Sequence, residues 1–190
     1  MNVKLFGVIY RSLLLSLVFC GLFLLCIFIQ PSPNPLIDAV TAGNVERTSH
    51  LLTKFPQLVN TAFMGRTALH FAAGRRNMDL VRLLLKAGAN PLARDACGNS
   101  PLHAAVFGFG NLNVRLLLEI TQKPSLTNYW GDTPLHLAAY IARNPFAPEH
   151  TSMLLNAGAS RWVTDSAGYT PLQLANLMRN TFVIHLLKEP

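Results

Sequence analysis

Apolar positions along this chain come in pairs of segments. Four runs have helical spacing: Leu80, Val81, Leu83, Leu84 and Leu85; Leu112, Val114, Leu116, Leu117 and Leu118; Met153, Leu154 and Leu155; and Val183, Ile184, Leu186 and Leu187. Each run follows a shorter apolar stretch centred on small residues: Ala72-Ala73, Ala105-Val106, Ala138-Ala139 and Ala175-Asn176. The pattern predicts short inner helices that approach one another through small side chains, each followed by a longer outer helix. A fainter copy over residues 35–61 places Pro35-Leu36, Ala39-Val40, Gly43-Asn44 and Leu51-Leu52 on the same positions, without the glycine turn and with His50 in place of a leucine. It is expected to be an atypical terminal unit.

A repeated phrase fixes the register. Thr67-Ala-Leu-His70, Ser100-Pro-Leu-His103, Thr133-Pro-Leu-His136 and Thr170-Pro-Leu-Gln173 each begin two residues after a glycine, and Leu69, Leu102, Leu135 and Leu172 are 33, 33 and 37 residues apart. Gly65, Gly98, Gly131 and Gly168 supply the positive φ of a tight turn. The Thr or Ser two residues later is an N-cap, and Pro101, Pro134 and Pro171 occupy the first helical position, where a missing N–H costs nothing. Ala68 stands where the other units have proline. The spacing of 37 places four extra residues within Arg143-Asn-Pro-Phe-Ala-Pro-Glu-His150, between the inner and outer helices of the fourth unit.

These residues resemble the ankyrin repeat. The resemblance implies an all-α solenoid of stacked helix-turn-helix units with β-hairpin loops, preceded here by one N-terminal hydrophobic helix. The organisation read from it is a signal-anchor over 1–30, a proline-rich linker over 31–34 and a repeat domain over 35–190, with units near 35–61, 62–94, 95–127, 128–164 and 165–190. It makes His70, His103 and His136 architectural, each orienting loop and helix, and units stacked side by side cannot bring them to one metal ion. It also implies partner contacts at loop tips and inner-helix ends: Phe63, Met64, Arg66, Asn99, Tyr129, Trp130, Asp132 and Tyr169 at the tips, Arg75 and Tyr140 at the ends. Large apolar tip residues are typical anchors. Phe146, in the insertion, is a further candidate contact, set against a merely tolerated insertion. Arg76, Phe109 and Ala142 replace the glycine usual in the interhelical turn, so altered turn geometry is expected there.

The N-terminal segment has a different logic. Ser12 to Ile29 is an uncharged apolar run of 18 residues, about 27 Å long as a helix, and residues 5–29 are long enough to span a bilayer with tilt. The exit Phe28-Ile29-Gln30-Pro31-Ser32-Pro33 offers no small-x-small cleavage site, which favours an uncleaved anchor over a removed signal. Lipidation at Cys20 is disfavoured by bulky Phe19. Lys4, Arg11 and the α-amino group lie before the span, while the next positive residue is Arg47. The positive-inside rule then puts the N-terminus in the cytoplasm and the repeats on the extracytoplasmic side. The linker, at about 3.1 Å per residue, keeps the repeats close to the bilayer.

Composition removes other classes of function. The net charge is +7, and with Lys4 and Arg11 set aside it is +5 over residues 31–190, spread across every unit. No aromatic-interleaved basic strip or nucleic-acid motif accompanies it, so no nucleic-acid partner is expected. Cys97 is alone in the repeats, with no base or orienting group nearby in sequence for a catalytic thiol. No phosphate loop, serine elbow or metal-ligand spacing occurs, so neither an enzyme nor a cofactor, metal or small-molecule substrate is expected. The sequence is read as a membrane-tethered adaptor or scaffold that holds a partner protein. The alternative is a secreted soluble effector or inhibitor, freed by removal of a signal peptide.

Overall fold

The computed structural model describes residues 34–108, 110–141 and 144–188. The expected N-terminal helix, its span at 5–29 and the linker up to Pro33 lie outside the described residues. The chain divides into two units, Met1–Pro33 and Asn34–Pro190, and the repeats make up the second.

Among the described residues five helix pairs succeed one another: α1 (Pro35–Thr41) with α2 (Val45–Lys54), α3 (Ala68–Ala73) with α4 (Met78–Lys86), α5 (Pro101–Phe107) with α6 (Asn111–Thr121), α7 (Pro134–Tyr140) with α8 (Ala147–Asn156), and α9 (Pro171–Leu177) with α10 (Thr181–Lys188). A 3₁₀ turn over Pro56–Asn60 and a hairpin of β1 (Ala62–Phe63) and β2 (Arg66–Thr67) join the first pair to the second. The inner helices start where the phrase predicts, with Thr67, Ser100, Thr133 and Thr170 as N-caps in capping boxes closed by His70, His103, His136 and Gln173. The first unit replaces this device with an asparagine: Asn34 Oδ1 accepts from the Leu36 N–H at 2.9 Å and the Ile37 N–H at 3.4 Å.

Inner helices of successive units pack against one another, α3 on α5, α5 on α7 and α7 on α9. Ala72, Ala105 and Ala139, all fully buried, let the backbones approach, while Leu69, Leu102 and Leu135 fill the space between layers. Each such leucine removed from water stabilises the stack by about 1.5–3 kcal/mol. Leu36, Ala39 and Val40 are equally buried, which makes residues 35–54 a true unit of the stack, and His50 is exposed.

The expected β-hairpin loops are corrected in part. Among the described residues only the first tip forms paired strands, with Ala62 opposite Thr67 and Phe63 opposite Arg66. Met64 and Gly65 form its two-residue turn with φ of +52° and +78°, the left-handed pair that matches strand twist. The other tips close around a side chain instead. The Oδ1 atoms of Asp95, Asn128 and Asp165 each accept two backbone N–H groups at 2.8–2.9 Å, from Cys97 and Asn99, Trp130 and Asp132, and Ala167 and Tyr169. Ala62 holds the same repeat position and has no acceptor to offer, so its loop closes by strand pairing.

The interhelical turns are not all alike among the described residues. Arg179, one period after Ala142, takes φ +55° where an ordinary side chain is strained. Arg76 remains outside the positive-φ set, and Phe109 and Ala142 lie outside the described residues. α6 runs on to Thr121 and ends at Gln122 with φ +51°, whereas α4 and α8 are followed by Gly88 and Gly158 at positive φ.

Candidate partner-binding face

The tips form a continuous row because each loop rests on the next. A Cβ on Gly65 would lie 2.5 Å from the backbone nitrogen of Ala96, and one on Gly98 would lie 2.6 Å from the Tyr129 ring, so both positions require glycine for contact as well as for φ. The Tyr129 N–H donates to the Cys97 carbonyl at 3.1 Å, and the Ser166 N–H to the Trp130 carbonyl at 2.8 Å. The structure therefore brings Phe63, Met64, Arg66, Asn99, Tyr129, Trp130, Asp132 and Tyr169 into one row. It does not bring Arg75 and Tyr140 to them: these residues lie at the far ends of α3 and α7, a helix length of about 10 Å away.

The individual exposures divide the set. Tyr129 is 68% exposed and Met64 42%, while Phe63, Trp130 and Tyr169 are half-buried. Tyr169 packs against the hydrophobic core, so it is less available than its tip position suggested. The Arg66 guanidinium sits 4.7 Å over the Phe71 ring. Arg75 is exposed at the end of α3, and burial raises the phenol pKa of half-buried Tyr140.

Asn99 and Asp132 belong to a polar chain between tips. The Asn128 amide nitrogen donates to Asn99 Oδ1 at 3.0 Å and to Asp132 Oδ2 at 3.4 Å. Burial pushes the Asp132 carboxyl up to about 6, against the bond from Asn128 and with help from the neighbouring Asp165 charge. Asp132 is consequently a carboxyl that changes charge near neutral pH. The sequence carries no direct signal of this, since the shift comes chiefly from burial in the folded stack.

The histidines hold the row in place. His70 Nδ1 accepts from the Thr67 N–H at 3.2 Å and its Nε2–H donates to the Asn99 carbonyl at 3.0 Å. His103 joins the Ser100 N–H (3.1 Å) to the Asp132 carbonyl (3.1 Å), and His136 joins the Thr133 N–H (3.1 Å) to the Tyr169 carbonyl (3.0 Å). Each ring is thus fixed as the Nε2–H tautomer and ties its own N-cap to the next tip. Burial lowers all three pKa values, His103 to about 4. Gln173 keeps the local half of this device, accepting from the Thr170 N–H at 2.8 Å.

Two exposed aromatics carry no motif that marks them in the sequence, Trp162 at 80% and Phe182 at 73%. Phe182 was nonetheless detectable: counting back by the period, it shares its position with Glu149, Leu112 and Asp79, all exposed. Phe146, a candidate contact, is instead half-buried and engaged within the stack, with the Arg76 guanidinium of the second unit 4.7 Å from its ring centroid. Among the described residues no helix is long and apolar enough to cross a membrane, and no group of His, Cys, Asp and Glu could hold a metal ion.

Stacked helix pairs tied by a Thr/Ser–His ladder define a class, and family comparison agrees with the geometry. Residues 17–95 and 36–124 match the family described as ankyrin repeats (3 copies), and residues 130–166 match the ankyrin repeat. The chain belongs to the ankyrin-repeat family, with about four repeats matched. That family is a protein-interaction scaffold, generally non-enzymatic, and membership gives this chain a protein–protein interaction role. It is 33% identical over 79 residues to the ankyrin repeat and ELMO domain-containing protein D of Dictyostelium discoideum, 36% of this chain and 6% of that protein. It is 42% identical over 71 residues (37% of this chain, 9% of the relative) to the potassium channel AKT2/3 of Arabidopsis thaliana. Over 76 residues (37% and 6%) it is 38% identical to a transient receptor potential cation channel subfamily A member 1 homolog of Caenorhabditis elegans. The matches span less than a tenth of each relative's length.

Proposed function

We propose that this protein is a membrane-tethered ankyrin adaptor that holds or regulates a partner protein close to the bilayer, gripping it with the tip row. The carrying observation is the exposure of Tyr129, 68% accessible on a row of tips otherwise packed one on the next. A large, rigid aromatic kept in water at such a place is suited to fill a partner's pocket. Met64 and Trp130 flank it on the row and widen the apolar contact; Asn99 and Asp132 supply polar definition.

The tether is the apolar run within residues 5–29, and its flanking charges favour a cytoplasmic N-terminus with the repeats on the extracytoplasmic side. Protease protection of sealed vesicles tests this orientation, which fails if the repeats are digested only from the cytoplasmic face. Mass spectrometry of the mature N-terminus separates the anchor from the secreted inhibitor, which needs a terminus near residue 30. For the grip itself, the double substitution Tyr129→Ala and Trp130→Ala is expected to weaken partner capture at least about tenfold while far-UV circular dichroism stays native, the loss of two interface anchors. Capture equal to the native chain removes the tip row as the site.

A further inference from the structure

The period places Leu80, Asn113, His150 and Val183 on one position of successive outer helices, 33, 37 and 33 residues apart. Leu80, His150 and Val183 are 0% exposed and Asn113 is 1% exposed. Leu80 and Val183 suit such a place. Asn113 is accommodated through its amide nitrogen, which donates to the carbonyl groups of Ala72 at 3.4 Å, Ala73 at 3.1 Å and Arg75, although its buried Oδ1 has no partner among the described residues. His150 is not accommodated in this way: among the described residues neither ring nitrogen has a hydrogen-bond partner.

What His150 does touch is the insertion. Its ring lies 6.3 Å from that of Phe146, the planes inclined by 30°, and the far partner of Phe146 is Arg76. Arg76 belongs to the second unit and Phe146 to the fourth, so this row crosses the third. The third unit's turn is thin enough to permit it, since a Cβ on Gly108 would lie 2.2 Å from the Gly74 carbonyl oxygen and one on Gly110 2.9 Å from that of Arg75. Asn144 fastens the insertion from beneath, its amide nitrogen reaching the carbonyls of Val106 at 3.4 Å and Gly108 at 3.3 Å. Units of a solenoid ordinarily contact only their neighbours, so a contact that skips one is a separate element.

We propose that Arg76, Phe146 and His150 form a proton-released latch: charging His150 frees the fourth-unit turn from the second unit and bares Phe146. An imidazolium at this place has only the pull of the Val106 carbonyl to set against its desolvation, and the ring beside it already faces a guanidinium. The way for that ion to reach water is for the turn to open. The charged or titratable residues on the packed elements are Arg115 and Glu119 on α6, His136 and Tyr140 on α7, and His185 and Lys188 on α10, with Glu149 on α8 itself. None of these governs His150. Burial holds its pKa down, to about 4, and hydrogen bonding toward the Val106 carbonyl opposes this. An open turn restores the ordinary value near 6.5, so opening gains as pH falls from 6.5 toward 4.

Amide hydrogen exchange of the full-length chain, followed by mass spectrometry of a peptide spanning 144–150 at pH 7.5 and 4.5 and corrected for intrinsic rates, tests this. Opening of that peptide is expected to rise about tenfold or more in the native chain and less than about twofold in His150→Leu, given that one pKa unit is a tenfold change. His150→Val, matching Val183, serves if the leucine variant misfolds. An equal rise in the His150 variants, no rise in the native chain, or a rise shared by a peptide over residues 101–107 overturns the latch.

Discussion

The ladder of His70, His103 and His136 and the single His150 are all buried imidazoles held neutral, yet they do opposite work. In the ladder, burial is compensated: Nδ1 takes an N-cap N–H that would otherwise be orphaned, and Nε2–H reaches the next tip's carbonyl. At His150 neither ring nitrogen makes a full hydrogen bond, and the same desolvation is opposed only by the Val106 carbonyl. A fully bonded buried ring fastens the structure, whereas an unbonded one is a standing cost that a proton enlarges. Accessibility alone cannot tell them apart.

Acid should give the largest effect. His70, His103, His136 and His150 all have pKa values lowered on folding, so the unfolded chain binds more protons below about 6.5 and stability falls as pH drops from there toward 4. Asp132 opposes this. Its pKa is raised to about 6, so the stability it contributes is present at low pH and lost as pH rises through 6. Chemical denaturation across pH 7.5 to 4 is expected to show a steep loss, steeper still in Asp132→Asn; a flat profile contradicts the assignment. Next in size is His103→Ala, which strips three bonded contacts and leaves a void, with an expected loss of about 3 kcal/mol in denaturant titration. His103→Gln, copying the fifth unit, should lose only about 1 kcal/mol because the N-cap half survives. If glutamine proves as damaging as alanine, the forward bond carries nearly all of the energy. Smallest is His150→Leu, which should gain about 1 kcal/mol at neutral pH by removing unpaired polar atoms from a leucine position. A loss there would show that His150 is bonded after all.

Much of this contrast is legible in the residues alone. The phrase beginning at Thr67, Ser100, Thr133 and Thr170 places the inner helices, the caps and the structural histidines, because a local capping device needs only residues three apart. The same count aligns His150 with Leu80 and Val183, so its oddity is visible in the sequence, although its lack of partners is not. That lack depends on where the Val106 carbonyl and the Asn144 amide point. The tips show the same limit. Tyr129, Trp130 and Tyr169 look alike as aromatics near turn glycines, yet only Tyr129 stays largely in water, because the next loop and the core decide how much of each ring is covered. The choice between a strand-paired tip and a side-chain-closed tip is encoded in Ala62 against Asp95, Asn128 and Asp165, one residue upstream of the tip positions themselves.

The cross-links between units run both ways. Histidines of α3, α5 and α7 reach forward to the following tip, while Asn113, Asn144 and Asn180 reach back to carbonyls at the end of the preceding inner helix. The second, third and fourth units therefore offer the same two sockets to their neighbours. A chain so wired can lengthen or shorten by whole periods, as a gene does by duplication or in-frame excision, with each new junction finding its partners already in place. The exception is the stretch from Arg76 to Phe146, which counts units and would register the loss of one.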